Sequence, residues 1–147
     1  MELCEDLKLK NQLCFPLYSV SNLITRKYKP LLDELDLTYT QYIAMMSLWE
    51  TGDCSESELG KRLYLKSNTL TPLLKKLKQK GYVSMKRNAV DGRSIMISLT
   101  PTGNALKEKA AHIPSSLARS LNLSADEGKF LYAILYKILK ENYHEEL

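Results

Sequence analysis

The sequence lacks the features that mark several protein classes. Among its 147 residues are three cysteines and two histidines, whose number and spacing predict neither a disulfide framework nor a metal site. No apolar run approaches the roughly 18–20 residues that cross a bilayer, and the charged first twelve residues lack the apolar segment of a signal peptide. We therefore expect a single-domain cytoplasmic protein with no metal, no cofactor and no membrane partner.

Excess charge of one sign is also small, since the net charge is only +4. It is unevenly placed, however. From Gly60 to Arg93 lie ten basic residues and one acid, Asp91, so this segment, the basic block, carries +9 while the remainder carries −5. Such segregation is typical of a surface that binds DNA or RNA. A short lysine run alone is more often a solvated helix face, so the structural context of the block decides between the two.

Helix-start signals divide the chain into elements. In a capping box, a Ser or Thr hydroxyl and a Glu or Gln side chain three residues later satisfy backbone N–H groups at a helix start. Thr100 before Pro101 predicts another start, and Gly52 and Gly81 predict helix ends. A first helix is predicted from about Leu13 to Leu35. Three capping boxes are present: Thr38 with Gln41, Ser55 with Glu58, and Ser124 with Glu127.

The segment Val83–Leu99 breaks the helical pattern. Its β-prone stretches VSMKRN and SIMISL are joined by the turn-like AVDGR, which predicts a hairpin. The predicted order is two helices, a short helix, a basic helix, the hairpin and two more helices. We therefore predict a mainly α fold with a small β-hairpin wing, a winged helix-turn-helix. A single domain would cover 1–147, with the winged helix-turn-helix at about 36–100. The helices at 7–35 and 101–147 are expected to form a dimer interface, because they carry more apolar surface than one small domain can cover.

The basic helix, about Ser67 to Lys80, is the predicted recognition helix. In helix-turn-helix proteins the second helix lies in the major groove, and an arginine on a wing can enter the minor groove. Ser67 is also predicted to be the N-cap of this helix. We expect the DNA-binding residues to be Lys66, Ser67, Asn68, Thr69, Thr71, Pro72, Lys75, Lys76, Arg87, Asp91 and Arg93.

These elements resemble a known family. The wing sequence Asp91-Gly92-Arg93, followed by Ser94–Thr100, is similar to that of the MarR family of dimeric winged-helix repressors. The resemblance narrows to the organic-hydroperoxide-sensing repressors of that family. It covers nearly the whole chain, is weakest after Leu121, and rests on four further segments: Asn11–Tyr18, Tyr28–Tyr42, Leu48–Glu50 and Leu63–Leu77.

The resemblance implies a redox site. Cys14 matches the peroxide-reactive cysteine of those repressors, and Tyr28 and Tyr39 match two tyrosines whose hydroxyls bond the reduced sulfur across the dimer interface. Tyr18 matches a nearby aromatic residue, and Asp91 matches the acid that orients the wing arginine.

Two positions depart from the family pattern. Lys66 stands where Asp is usual, so either a helix cap or an intramolecular polar contact is expected to be lost, although the added positive charge favours phosphate binding. Asn68 stands where Gly is usual, and its side chain could cap the helix or contact DNA.

Taken without the resemblance, an isolated cysteine on an amphipathic helix is usually a small buried hydrophobe. Pro16, however, predicts that a helix restarts there and leaves Cys14 just ahead of its N-terminus, where the helix dipole and unpaired N–H groups stabilise a thiolate. Tyr18 would lie on the same side of that helix. The alternative is that Pro16 only kinks one long helix, which weakens this argument.

The other cysteines and most tyrosines receive simpler interpretations. Cys54 is expected to be an exposed bystander, and the absence of any cysteine after it suggests the one-cysteine type of sensor, in which a small thiol completes the oxidation. Cys4 is the alternative resolving partner. Most other tyrosines, Tyr42 among them, are expected to cover half-buried helix faces, and His112 is expected to end a helix.

The expected function is a repressor, not an enzyme, which binds an inverted-repeat operator in double-stranded DNA as a homodimer. An organic hydroperoxide and a small thiol would oxidise Cys14 and release the operator. The alternatives are a MarR-type repressor released by an anionic aromatic ligand, a broader redox-responsive virulence regulator, and a thiol peroxidase, which would leave the basic block unused.

Overall fold

The computed structural model describes residues 4–143, which form seven α-helices, two 3₁₀ turns and one three-stranded sheet. None of these helices is long and apolar enough to cross a membrane. The elements in chain order are the 3₁₀ turns Glu5–Leu7 and Leu9–Asn11, α1 (Cys14–Asp33), α2 (Tyr39–Thr51), β1 (Cys54–Ser55), α3 (Glu56–Leu63), α4 (Ser67–Gln79), β2 (Val83–Arg87), β3 (Ile95–Leu99), α5 (Pro101–Ala110), α6 (Ile113–Ser120) and α7 (Ala125–Asn142).

The predicted helix boundaries are confirmed where local capping sets them. All three capping boxes form with both reciprocal bonds, at the starts of α2, α3 and α7. Thr100 caps α5 by accepting the N–H of Gly103 at 3.0 Å. Gly52 and Gly81 follow α2 and α4 with φ of +75° and +76°, a conformation that glycine adopts without a steric cost.

The C-terminal part has three helices where two were predicted. Pro114 explains the difference, because it has no N–H to donate and its ring would clash with the carbonyl of Ala110 in a continuous helix. The chain therefore breaks after α5, with His112 at the N-cap of α6. At the other end, residues 7–13 are not α-helical, and α1 begins at Cys14.

The predicted hairpin is confirmed as the antiparallel pair β2 and β3, in register from Val83 opposite Leu99 to Arg87 opposite Ile95. A third strand that the sequence did not predict, β1, pairs with β3 and sets Cys54 opposite Ile97. Cys54 is thereby buried, with 2% of its surface exposed, so the expectation that it is an exposed bystander was wrong.

The hydrophobic core joins the C-terminal half of α1 to the winged helix-turn-helix. It includes Leu32 and Leu35, the buried faces of α2, α3 and α4, and Ile97 of the sheet. By contrast, α7 has no buried residue. Large apolar side chains stay exposed at the N-cap and on the N-terminal part of α1, and on α7. They include Leu13, Phe15, Leu17, Val20 and Leu23, and Phe130, Leu131, Ile134, Leu135 and Ile138.

Candidate DNA interface and redox site

The helix-turn-helix is held by a tight turn between α3 and α4. Tyr64 ends α3 in the left-handed conformation, with φ of +54°, and the N–H of Leu65 donates to the carbonyl of Gly60 at 3.0 Å. A Cβ at Gly60 would lie 2.9 Å from the carbonyl oxygen of Leu65, so a larger residue would force this turn apart. The turn lets α4 bury one face, made of Leu70, Leu73, Leu74 and Leu77.

Lys66, not Ser67, is the N-cap of α4, so the prediction that Ser67 caps the helix was wrong by one position. Lys66 makes no side-chain capping bond, because an ammonium group has no acceptor. Backbone N–H groups at this helix start are therefore left for another acceptor. A helix N-terminus with basic neighbours favours an anion such as a DNA phosphate.

The outward surface of α4 carries most of the side chains expected to meet DNA. The exception is Thr71, which is half-buried and donates its hydroxyl hydrogen bond to the carboxylate of Glu56 on α3. This bond joins the two helices of the motif, a role that the sequence did not suggest. The exposed residues are Lys66, Ser67, Asn68, Thr69, Pro72, Lys75 and Lys76.

The wing between β2 and β3 is shaped by its own polar side chains. The Asp91 carboxylate accepts the backbone N–H of Arg93 at 3.1 Å, and the Asn88 side chain accepts the N–H of Val90 at 2.9 Å. Arg87 donates to the carbonyl of Gly92 at 3.5 Å. Asp91 thus acts on the backbone of Arg93, and the exposed Arg93 side chain can reach away from the protein.

A groove of about 580 Å³ separates the wing from the start of α4. Three of its lining residues are the cations Lys61, Lys66 and Arg93, and two are the acids Glu56 and Asp91. The groove is therefore flanked by positive side chains from α3, from the helix-turn-helix turn and from the wing. This arrangement suits a polyanion that spans the two elements.

At the other candidate site, Cys14 is the first residue of α1 and is exposed. Pro16 lies in the first turn of that helix, where its missing N–H costs nothing. A helix start beside Pro16 is thus confirmed and the kinked-helix alternative does not apply, but the helix begins at Cys14, which lies in its first turn and not ahead of it as expected. Tyr18 lies one turn further along and is also exposed, with 68% of its surface accessible.

The structure brings Tyr28 and Tyr39 together at the far end of α1. Their ring centroids are 4.8 Å apart, and Tyr28 also packs against Tyr42 at 5.7 Å. Burial, with a smaller contribution from Tyr39, raises the pKa of Tyr28 to about 12, and burial raises the pKa of Tyr39. Both hydroxyls stay protonated at neutral pH and can donate hydrogen bonds to an anionic or polar acceptor.

Tyr42 was expected only to cover a helix face, yet it is 2% exposed and completes this aromatic cluster. Its position three residues after Tyr39, on the same side of α2, was the available sequence signal.

Cys14 does not meet these tyrosines within one chain. Fourteen residues separate it from Tyr28 along α1, which corresponds to roughly 21 Å at 1.5 Å per residue. A thiol and a phenol can bond only at about 3–4 Å. A site that contains both therefore needs a second copy of the chain.

The remaining cysteines differ in their environments. Burial raises the pKa of the Cys54 thiol, although the nearby Arg62 guanidinium partly opposes this effect. Cys54 is therefore a poor nucleophile at neutral pH. Cys4 is exposed. Within residues 4–143, no cluster of three or more His, Cys, Asp or Glu side chains could hold a metal ion.

Comparison with known proteins places these sites in context. The family model described as "Transcriptional regulator SarA/Rot" matches residues 26–110. The chain is 45% identical over 142 residues to the organic hydroperoxide resistance transcriptional regulator of Bacillus subtilis, covering 97% of this chain and 96% of that protein.

Solved structures agree with the sequence comparison. Reduced AbfR bound to DNA, a protein of Staphylococcus epidermidis, has a TM-score of 0.78 and 38% identity, covering 93% of this chain and 95% of that one. Apo MarR from Escherichia coli has a TM-score of 0.69 and 29% identity, covering 87% and 97% of the two chains. The similarity thus extends over nearly the whole chain and includes a protein solved on DNA.

Proposed function

The chain belongs to the MarR family of winged helix-turn-helix transcriptional regulators, in its organic hydroperoxide group, and on this premise we propose that it is a homodimeric repressor switched by oxidation of Cys14. The observation that carries the proposal is the separation along α1. An exposed cysteine lies at one end of this helix and a pair of protonated tyrosines lies at the other.

A two-fold dimer completes the site. If two α1 helices pack antiparallel about an axis near residue 21, position 14 of each helix faces position 28 of the other. Cys14 then meets Tyr28 and Tyr39 of the partner subunit, and two identical sites form. The exposed apolar side chains of α1 and α7 supply the surface that such an interface would bury. We assign dimerisation to residues 7–35 and 101–147, of which 144–147 lie outside the described part, and DNA binding to about 36–100.

The DNA interface follows from the exposed surface of α4 and the wing. The recognition helix enters the major groove, and Arg93 on the wing reaches the minor groove. Lysines such as Lys75 and Lys76 neutralise phosphates. Because the dimer is two-fold symmetric, the operator is an inverted repeat with half-sites about one helical turn apart. We also propose that the protein acts in the cytoplasm, where its operator DNA would lie.

The chemical step consumes one hydroperoxide per cysteine. The Cys14 thiolate attacks the terminal oxygen of the peroxide, so an S–O bond forms and the O–O bond breaks. The alkoxide leaves with a proton as an alcohol, and Cys14 becomes a sulfenic acid. A small thiol then condenses with the sulfenic acid to give a mixed disulfide and water. Each protomer consumes one hydroperoxide and then stays oxidised as the mixed disulfide, so we propose a sensor and not a turnover enzyme.

Oxidation changes the group at Cys14 to which the hydroxyls of the tyrosine pair donate hydrogen bonds. A mixed disulfide is larger than a thiolate and no longer offers a compact anion to two hydroxyl donors. The α1 helices then shift, and the spacing of the two recognition helices changes. A change of only about 2–3 kcal/mol lowers operator affinity roughly 30- to 150-fold, which is enough to release the DNA.

The decisive experiment is an anisotropy titration on an inverted-repeat operator selected from random duplex DNA. Wild type, Cys14→Ser and the matched control Cys4→Ser, another exposed cysteine, are titrated before and after treatment with cumene hydroperoxide and a small thiol. Wild type and Cys4→Ser should release the operator after treatment, whereas Cys14→Ser should keep it. Release of all three proteins, or of none, would show that Cys14 is structural and that the regulator responds to another signal.

A further inference from the structure

The turn between α1 and α2, residues 34–38, is bonded directly to the end of the recognition helix. The Tyr82 hydroxyl donates to the carbonyl of Leu35 at 3.1 Å. The Lys80 ammonium group donates to the carbonyl of Asp36 and lies 3.1 Å from the carboxylate of the same residue. These contacts join segments more than forty residues apart, and we refer to them as the Lys80–Tyr82 tie.

The turn that receives the tie is itself rigid. The N–H groups of Leu35 and Leu37 both donate to the carbonyl of Leu32, at 3.0 and 3.1 Å. Asp36 adopts the left-handed conformation, with φ of +52°. Leu35 and Leu37 are only 3% and 5% exposed. Because the turn is bonded and packed, a displacement of α1 moves it as a unit.

The same turn leads directly into the tyrosine cluster. Tyr39 follows Thr38, the last residue of the turn, and packs against Tyr28. The Gln41 amide oxygen accepts the N–H of Thr38 at 3.1 Å and lies 3.4 Å from the Lys80 ammonium group. One side chain that fixes the start of α2 therefore also contacts the tie.

At its other end, the tie holds the junction between the recognition helix and the wing. Lys80 is the C-cap of α4, and β2 begins at Val83. The junction is also fastened to the start of α5, because the Thr100 hydroxyl donates to the carbonyl of Gly81 at 2.5 Å and the Thr100 N–H donates to the carbonyl of Tyr82 at 3.1 Å. Movement at this junction would tilt both DNA-contacting elements together.

We propose that Lys80 and Tyr82 are positioning residues that transmit the state of the redox site to the DNA-binding elements through the α1–α2 turn. This inference rests on the proposed function and names the route by which it is regulated. A route of this kind needs an element whose position both sites bias, and the turn meets that condition because it adjoins the tyrosine pair and is bonded to α4.

The two halves of the tie differ in expected strength. The Asp36 side chain is 75% exposed, so solvent screens its ion pair with Lys80. The Tyr82 hydroxyl bond is part-buried, and burial together with the Asp36 charge raises the pKa of Tyr82, so the hydroxyl stays a donor. Tyr82 is therefore expected to carry more of the coupling than the ion pair.

The test compares how strongly oxidation weakens operator binding in each variant. Tyr82→Phe removes the bond to Leu35 without changing charge. Lys80→Met removes the remaining contacts, and Lys80→Arg restores a donor. Lys78→Met is the matched control, because Lys78 is an exposed lysine on the same helix. Each protein is titrated with operator in the reduced state and again after treatment with cumene hydroperoxide and a small thiol. The quantity compared is the dissociation constant after oxidation divided by the dissociation constant in the reduced state.

The double variant Tyr82→Phe with Lys80→Met should lower this ratio at least fivefold, since a single hydrogen bond corresponds to roughly that factor. Lys80→Arg should keep more of the wild-type ratio than Lys80→Met does, because arginine still supplies a donor. Lys78→Met should weaken binding equally in both states and leave the ratio at the wild-type value. A responsive wild type together with a double variant of unchanged ratio would overturn the inference.

Hydrogen exchange tests the tie without any oxidant. Operator binding at α4 should protect the backbone amides of residues 34–38 in wild type, and the double variant should lose this protection. If peroxide does not release operator from the wild type, the proposed function is refuted. The hydrogen-exchange measurement then still shows whether operator binding at α4 protects the α1–α2 turn. Protection that is absent in wild type, or unchanged in the double variant, would refute the tie.

Discussion

Replacing Gly103 with alanine should destabilise the protein by about 2–4 kcal/mol, because the added methyl group has no space. A Cβ at this position would lie 1.9 Å from the carbonyl oxygen of Tyr82 and 2.8 Å from its carbonyl carbon. The oxygen distance is roughly 1.5 Å short of van der Waals contact. Both neighbours are backbone atoms, so no side-chain rotation relieves the clash.

The magnitude follows from the groups that would have to move. Overpacking in a well-packed region costs about 1–3 kcal/mol. Displacing α5 would also strain the bond from Thr100 to the Tyr82 carbonyl and the 3.0 Å bond from the Trp49 indole to the Gly103 carbonyl, each of which contributes about 1 kcal/mol. The higher helix propensity of alanine offsets about 1 kcal/mol of this cost.

Urea unfolding followed by circular dichroism measures the effect, with every protein at the same concentration because dimer stability depends on it. In thermal unfolding at the same protein concentration, the melting temperature should fall by about 6–12 °C. Gly128→Ala is the matched control, since a Cβ there meets nothing within 4 Å, and it should stabilise α7 by about 0.5–1 kcal/mol. A Gly103→Ala protein that unfolds at the wild-type midpoint would refute the close packing of α5 against Tyr82.

The DNA face, the buried thiol and the tyrosine pair each give a further prediction. Lys75→Ala should lower the slope of log affinity against log salt by about one, whereas Lys109→Ala on α5 should leave it unchanged; equal slopes would contradict the assignment of α4 as the DNA face. Iodoacetamide should alkylate Cys54 in the native protein far more slowly than in urea, as measured by peptide mass spectrometry, because the thiol is buried and its pKa is raised; similar rates would show that it is accessible. The pKa of Tyr28 is about 12 when folded and about 10 when unfolded, so its contribution to stability is complete below pH 10 and is lost as the pH rises through 12. Tyr28→Phe should flatten this alkaline loss in urea midpoints measured from pH 9 to 12, and an unchanged profile would contradict the assignment.

Helix starts were predictable because they depend on residues close together in the chain. Thr38, Ser55 and Ser124 each satisfy an N–H group three residues away, and all three form the predicted capping boxes. The wing was predictable for the same reason, since β2 and β3 are joined by a short turn. The comparisons likewise support the predicted family and winged-helix fold.

Errors arose where a distant segment or a one-residue offset decided the outcome. Cys54 lies in a polar stretch that predicts an exposed loop. It is buried because it pairs with Ile97, forty-three residues later in the chain. Ser67 has the side chain of a good N-cap, yet the tight turn after α3 places Lys66 at that position. The separate helix α6 was not predicted, because its N-cap residue His112 makes no side-chain capping bond that the sequence could indicate.

The sequence by itself determined the order of the helix-turn-helix and wing elements and the location of the basic block, since these depend on local chemistry. The candidate sensing residues came instead from the resemblance to the organic-hydroperoxide-sensing repressors. Only the tertiary structure buried Cys54 opposite Ile97 and bonded Lys80 and Tyr82 to the α1–α2 turn. These relations join residues that are far apart in sequence. They form because burial of the shared core outweighs the entropy of closing the intervening loops, and no local pattern records which distant segments that core brings together.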